Sequence, residues 1–165
     1  MKTILLVRHG HSSADDRLPD LERPLSAQGR RDVRRLGGLL RRLGLEPDLV
    51  VSSTARRALE TAELAAAGYG FAGKIRAEPR LYEAEADGYL QVLRGLPARS
   101  RCVLLVGHNP AIPQAAAALL GCPPEGLRFV PAALACLEAP AGWAGLQPPC
   151  TLQWLVGPEI FGAFR

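Results

Sequence analysis

The chain has 165 residues, a length that suits one domain with a core large enough to fold without support from a disulfide or metal. Hydrophobic residues make up 48% of the sequence and charged residues 22%, which excludes a disordered or fibrous protein. No apolar run approaches the ~20 residues of a membrane span, and the apolar stretch before Arg8 is too short for a signal-peptide core. We therefore expect a single domain over residues 1–165 that is soluble, cytoplasmic and without a membrane partner.

The charged and sulfur-containing residues give no sign of a nucleic acid partner or a metal. The net charge of +4 is small, and the arginine cluster at 31–42 has no interleaved aromatic residues. The four cysteines are widely spaced and form no CxxC pair, so they are interpreted as reduced core thiols: Cys102, Cys122, Cys136 and Cys150. We expect neither nucleic acid binding nor a metal site.

The first third of the chain alternates between strand and helix signals. The continuous apolar run at residues 3–7 is typical of a strand buried on both faces. Ser26 is placed to cap a helix over residues 27–43, in which leucines recur at the spacing of one buried helical face. A glycine and a proline end that helix, and a second short strand is predicted at residues 48–52.

The alternation continues to the end of the chain. Ser53 or Thr54 is expected to cap a helix that the next glycines end. The remaining predicted elements, in chain order, are an edge strand at 74–77, a helix at 87–96, a strand at 102–106, a helix at 110–120, and strands at 129–137 and 151–156 joined by a Pro/Gly-rich loop at 138–149. This order predicts an α/β fold with a mainly parallel central sheet, flanked by helices on both faces.

Chemically reactive side chains cluster where three predicted buried strands end. Arg8 and His9 follow the first strand, and His108 follows the strand at 102–106. Arg56 and Arg57 lie just beyond the second strand, in the first turn of a helix. Ligands bind at the carboxyl ends of the strands in α/β sheets, so these histidines and arginines are candidates for one site.

Two adjacent arginines are unusual at a helix N-terminus. The helix dipole disfavours a cation there by about 0.3–1 kcal/mol, so an anionic ligand would give one of them a partner. The other can reach a surface carboxylate such as Glu60. Because helical neighbours point about 100° apart, Arg56 and Arg57 cannot both face the same pocket.

Four segments match the motifs of a known family in order and spacing: LLVRHG at 5–10, ERPLSAQG at 22–29, SSTARRALETA at 52–62 and VGHNP at 106–110. Together they resemble the histidine phosphatase superfamily, the phosphoglycerate mutase-like proteins. The SixA-type branch of phosphohistidine phosphatases is the most similar, because its members have about this length and the VGHNP form. Three positions depart from the family pattern: Thr54 replaces a proline, Glu60 replaces a glutamine, and His11, interpreted as a loop residue, stands where this branch often has lysine.

The resemblance implies roles for the residues at the strand ends. His9 would be the nucleophile that forms a phosphohistidine enzyme intermediate, with its other ring nitrogen bonded to a backbone carbonyl. Arg8, Arg57 and a protonated His108 would hold the phosphoryl oxygens, and no metal or other cofactor would be needed. Arg57 is preferred to Arg56 because the family's arginine immediately precedes A-x-x-T.

The acid that protonates the leaving group is less clearly marked in the sequence. Glu83 and Glu85 lie near the place where longer family members carry such a glutamate, and Glu83 is the nearer. A phosphohistidine substrate would reduce the need for a strong acid, because an imidazole leaves readily once its ring is protonated.

The favoured function is therefore a phosphatase that acts on phosphohistidine in a protein, since no connection looks long enough to form a lid over a small ligand. One alternative is a small-molecule phosphomonoesterase on the same scaffold. The other is a non-catalytic phosphate-binding module, against which the presence of both histidines and both clamp arginines argues. Mutase activity is least favoured, because the intermediate would have to be shielded from water.

Overall fold

The computed structural model describes residues 1–14, 17–140 and 142–163. Over these residues the chain forms six strands and four α-helices, joined by loops and short 3-10 turns. The strands are β1 (Lys2–Arg8), β2 (Leu49–Ser52), β3 (Arg76–Ala77), β4 (Cys102–Gly107), β5 (Leu134–Ala139) and β6 (Thr151–Val156). The helices are α1 (Ala27–Arg42), α2 (Arg56–Tyr69), α3 (Ala86–Arg94) and α4 (Ala111–Leu120).

The strands form one mixed sheet in the order β3-β2-β4-β1-β5-β6. The first four strands in that order are parallel, whereas β5 pairs antiparallel with β1 and β6 pairs antiparallel with β5. An antiparallel edge on an otherwise parallel sheet is common in α/β folds. The predicted α/β architecture with a mainly parallel sheet is confirmed, and the carboxyl ends of β1, β2 and β4 meet at one edge.

Helices cover both faces of the sheet, as predicted. Leu5 and Val7 of β1 pack in a cluster with residues of α1 and α2, whereas Ile4 and Leu6 pack in a second cluster with residues of α3 and α4. All four β1 side chains are fully buried. The continuous apolar run is thus explained by a strand that has a hydrophobic layer on each side.

The backbones of helices α1 and α2 are in direct contact. A Cβ added to Gly37 would lie 2.6 Å from the Ala65 carbonyl oxygen, and one added to Gly68 would lie 2.6 Å from the Gly37 Cα. No larger residue fits there without moving a helix. Ser26 caps α1 as predicted, its hydroxyl accepting from the Gly29 amide.

One strand boundary and one helix cap differ from the prediction. The strand expected at 129–137 begins only at Leu134, because the Phe129 carbonyl bonds to side chains and Ala132 has a left-handed backbone, with φ of 65°. The predicted cap of α2 at Ser53 or Thr54 is wrong: Ala55 occupies that position, without a side-chain bond.

The predicted loop at 138–149 is shortened because β5 extends to Ala139, and a 3-10 turn covers Trp143–Gly145. Ala141 of that loop lies outside the described residues. None of the described helices is long and apolar enough to cross a membrane.

Candidate active site

The structure brings together the two histidines and Arg57 at the carboxyl edge of the sheet. The ring centroids of His9 and His108 lie 5.1 Å apart. The Nε of Arg57 donates to Nε2 of His9 at 3.3 Å, and Arg8 immediately precedes His9 at the end of β1. Residues far apart in sequence therefore meet at one place because three parallel strands end beside each other.

His9 is held in the form that a nucleophile requires. Its Nδ1 lies 2.7 Å from the Gly10 carbonyl oxygen, so Nδ1 carries the proton, and Nε2 keeps a lone pair, which accepts from Arg57 Nε. Burial lowers the pKa of His9 to about 3, and the charges of Arg57 and Arg8 act in the same direction. The ring is therefore neutral at pH 7, with Nε2 facing the guanidinium.

His108 is fixed from two sides. Its Nε2 lies 2.7 Å from Ser53 Oγ, which also accepts from the Ala55 amide, and its backbone amide donates to the Tyr89 hydroxyl at 3.1 Å. Tyr89 fits there because Gly107 has no Cβ, which would overlap the tyrosine ring.

The expectation of a protonated His108 is wrong in this structure. Burial, followed by the charge of Arg57, lowers the pKa of His108 to about 4, although Asp20 acts in the opposite direction. The ring is neutral at pH 7. Neutral imidazole can still donate one hydrogen bond, and a phosphoryl dianion beside it would favour the charged form.

Asp20 is a component of the site that the sequence reasoning missed. Arg57 Nη1 donates to the Asp20 backbone oxygen at 2.6 Å, and Arg57 Nη2 donates to the Asp20 carboxylate at 2.9 Å. Tyr82 and Arg23 also donate to this carboxylate, at 2.8 and 2.5 Å. The bond from Tyr82 and those from the arginines hold the pKa of Asp20 well below its usual range. The Asp20 carboxylate is therefore an anion that forms an ion pair with the guanidinium of Arg57.

No sequence pattern reports this contact, because Asp20 is 37 positions from Arg57. The one available signal is its place three residues before the Arg23-Pro24-Leu25 segment of the family motif. The Tyr82 ring also meets His108 edge-on, with centroids 5.9 Å apart. Asp20 and Tyr82 thus bond to each other while they contact Arg57 and His108 respectively.

The neighbouring arginines point to different surroundings, as predicted. Arg57 is 7% exposed and lies against His9. Arg56 is exposed and donates to Glu60 at 3.0 Å, the carboxylate partner that the sequence suggested. Glu60 also accepts from Arg30 and from the Leu25 amide, so it links α1, α2 and the preceding loop.

Arg8 is anchored at its far end. Its Nη1 donates to the Phe129 carbonyl oxygen at 2.8 Å, and no described residue accepts from its buried Nε. Burial lowers the pKa of Arg8. The ordinary pKa of an arginine is so far above 7 that the group still stays charged at pH 7. An anion at the strand ends would meet a fixed positive charge.

The remaining candidate residues from the sequence lie at the exposed edge of this site. Glu83 and Glu85 line a cleft of about 390 Å³ that also contacts His108. His11 is exposed and bonds to Ser26 at the start of α1. Among the residues that the structure describes, no group of three or more His, Cys, Asp or Glu side chains could hold a metal ion.

Acid should destabilise the protein through the two buried histidines. An unfolded histidine takes up a proton near pH 6.5, whereas His9 and His108 in the folded protein do so only near 3 and 4. The unfolded state therefore binds more protons from about pH 6.5 down to about pH 4, and over this window the free energy of unfolding falls by up to about 1.4 kcal/mol for each histidine as the pH is lowered by one unit. Urea unfolding at a series of pH values should show this slope, and His108→Asn should reduce it. A wild-type stability that is flat over this window would contradict the burial argument.

Comparisons with known proteins agree with this geometry. The sequence profile of the histidine phosphatase superfamily (branch 1) matches residues 4–92, more than half of the chain. The chain belongs to the histidine phosphatase superfamily. It is thus a phosphatase that acts on a phosphorylated substrate, and the predicted SixA-type branch is confirmed, since solved SixA structures match the chain over 95% of its length.

Relatives of this histidine phosphatase cover nearly its whole length. An uncharacterized chloroplastic protein of Arabidopsis thaliana is 31% identical, over 96% of this chain and 78% of its own. The solved structure of a SixA protein from Nakamurella multipartitia is 30% identical, with a TM-score of 0.82 over 95% of this chain and 96% of its own. The protein histidine phosphatase SixA complexed with tungstate shares the fold at 22% identity, with a TM-score of 0.84 over 95% of this chain and 97% of its own.

Proposed function

We propose that this histidine phosphatase hydrolyses phosphohistidine in a protein substrate, through a phosphoryl intermediate on His9 and without a metal. The observation that carries the proposal is the state of His9: a neutral ring whose Nδ1 is bonded to the Gly10 carbonyl and whose Nε2 meets Arg57. The similarity to SixA proteins supports the choice of substrate.

The reaction is a double displacement. In the first step, Nε2 of His9 attacks phosphorus, and the substrate's P–N bond breaks with its electron pair going to the protonated imidazole, which leaves as neutral imidazole. In the second step, water attacks the phosphoryl group on His9. The bond between phosphorus and Nε2 breaks, its electron pair returns to the ring, and phosphate leaves with the oxygen of water.

Three side chains are proposed to hold the phosphoryl oxygens. Arg8 and Arg57 supply two planar guanidinium groups, and His108 supplies the ring nitrogen that Ser53 does not bond. To bind the phosphoryl group, Arg57 exchanges the Asp20 carboxylate for phosphoryl oxygens, because all of its nitrogens have partners in this structure. Positioning and charge are the main requirements of phosphoryl transfer.

Removing divalent metal ions should leave the rate unchanged. The clamp of two arginines provides the positive charge that a metal would otherwise supply. Turnover of a phosphohistidine protein should therefore be the same after exhaustive chelation as before it. Loss of turnover that a divalent ion restores would contradict the proposed mechanism.

Glu83 is the proposed general acid, which donates a proton to a leaving group that is not already protonated. It is exposed and lines the cleft beside His108. Glu83→Gln should slow hydrolysis of an alkyl phosphate by about 10²-fold but hydrolysis of phosphohistidine by less than about threefold, because only the alkoxide needs a strong acid. Glu63→Gln, at an exposed position of α2, is the matched control. Equal losses on both substrates would remove Glu83 from this role.

The substrate class is tested by comparing kcat/KM for a phosphohistidine-containing phosphotransfer protein, a sugar phosphate and an aryl phosphate. The proposal predicts that the phosphohistidine protein is the best substrate. A higher kcat/KM for the sugar phosphate would identify a small-molecule phosphomonoesterase instead. Phosphate binding without release from any of the three would indicate a non-catalytic module.

A further inference from the structure

Two clefts border Asn109, the residue that follows His108 at the end of β4. The first, of about 390 Å³, also contacts His108, Glu83 and Glu85. The second, of about 610 Å³, also contacts Arg8 and the loop that includes Arg128. Each cleft thus contains one proposed phosphate ligand, His108 in the first and Arg8 in the second, and Asn109 lines both.

The charge on this surface changes sign from one side of the site to the other. Glu83 and Glu85 line the first cleft, and no lysine or arginine is among the described residues that line it. The second cleft has Arg8 and Arg128, with Glu125 as its one carboxylate among the described residues. A ligand that extends in both directions from the phosphoryl group meets an acidic side and a basic side.

Two of these charges are free to pair with a ligand. Glu85 and Arg128 are both exposed, and neither side chain bonds another residue in the described part of the chain. The loop that carries Arg128 is fixed to the site, because the Phe129 carbonyl accepts from Arg8 Nη1 at 2.8 Å and from Asn109 Nδ2 at 3.2 Å. The backbone of Arg128 is therefore held beside the phosphate ligands before a substrate binds, while its side chain is free to reach a ligand.

The surface extends further than a small phosphorylated molecule requires. Arg128 and Val130 also line a third cleft, of about 430 Å³, which reaches Leu155 and Val156 of the edge strand β6. The three clefts together are called the groove here, because Asn109 lines the first and second clefts and Arg128 and Val130 line the second and third. Pockets for small ligands enclose most of the ligand surface, whereas a polypeptide can contact several neighbouring clefts at once.

We propose that this groove binds the polypeptide on both sides of the phosphohistidine, with basic residues beside Glu85 and acidic residues beside Arg128. This inference rests on the proposed function and adds to it a charge order that a substrate must have. Exposed charge pairs contribute modestly to affinity but decide which of two similar partners binds better.

The test uses two peptides of identical composition, each phosphorylated on one central histidine with phosphoramidate. One has two lysines before the histidine and two glutamates after it, and the other has the reverse order. The wild-type enzyme should prefer one order by about three- to tenfold in kcat/KM, and the preference should weaken as salt rises, because exposed charges are screened within about 8 Å at 0.15 M. The double variant Glu85→Lys, Arg128→Glu should prefer the other order.

The ratio of the two rates is measured within one variant, so a loss of folded protein does not change it. The control is Glu63→Lys, Arg99→Glu, which makes the same charge changes at exposed positions outside the three clefts and should keep the wild-type preference. Equal hydrolysis of both peptides by the wild type, or an unchanged preference in the double variant, would overturn the inference alone. Hydrolysis of an aryl phosphate but of neither peptide would instead overturn the proposed function.

Discussion

His9→Ala should abolish turnover of a phosphohistidine protein, with a loss in kcat of about 10³-fold or more. The methyl group that remains has no lone pair to attack phosphorus, and no other described histidine replaces it. His108 lies close by, but its Nε2 is occupied by Ser53. Phosphate release in a steady-state assay measures the effect.

The matched control for this variant is His11→Ala. His11 is exposed and bonds to Ser26 rather than to the phosphate ligands, so its removal should leave most of the activity. Near-ultraviolet circular dichroism establishes that both variants are folded. More than a few per cent of wild-type activity in folded His9→Ala protein would show that another group is the nucleophile.

Arg57→Lys should lower kcat/KM by about 10²-fold, because a point charge replaces a planar group that contacts His9 and the phosphoryl oxygens together. Arg56→Lys is the control one residue away, and it should change the rate by less than about twofold, since an exposed ion pair contributes little. Its partner Glu60 lies outside the pocket, and a lysine can still reach it.

Inhibition by vanadate separates a loss of phosphate contacts from a loss of structure. It should weaken in Arg57→Lys in parallel with the rate, because the same guanidinium holds both anions. An equal loss of kcat/KM in the two variants, or a larger loss in Arg56→Lys, would show that Arg57 has been wrongly identified as the catalytic arginine.

The positions of residues that depend on the local sequence could be predicted without the structure. His9 and His108 each follow a continuous apolar strand, so the topology of an α/β sheet predicts their meeting. The separation of Arg56 from Arg57 follows from the geometry of one helical turn. Ser26 could be predicted as the cap of α1, because it stands directly before a segment in which leucines recur at helical spacing.

Features that depend on contacts distant in sequence could not be placed in this way. Asp20 meets Arg57 only because the loop after β1 folds over the start of α2. Ser53 looks like a helix cap, yet its hydroxyl bonds to His108 from another strand. The charge of His108 was misjudged for the same reason, since the burial that lowers its pKa results from the packing of several elements.

The central claim, a phosphoryl intermediate on His9, is tested most directly by rapid-quench labelling. The enzyme is mixed with a phosphohistidine protein that carries a radioactive phosphoryl group, quenched in alkali within one turnover, and digested for peptide mapping. We expect an acid-labile, alkali-stable label on the peptide that contains His9, appearing before free phosphate. Release of phosphate without any labelled enzyme, or a label on a different residue, would contradict the mechanism.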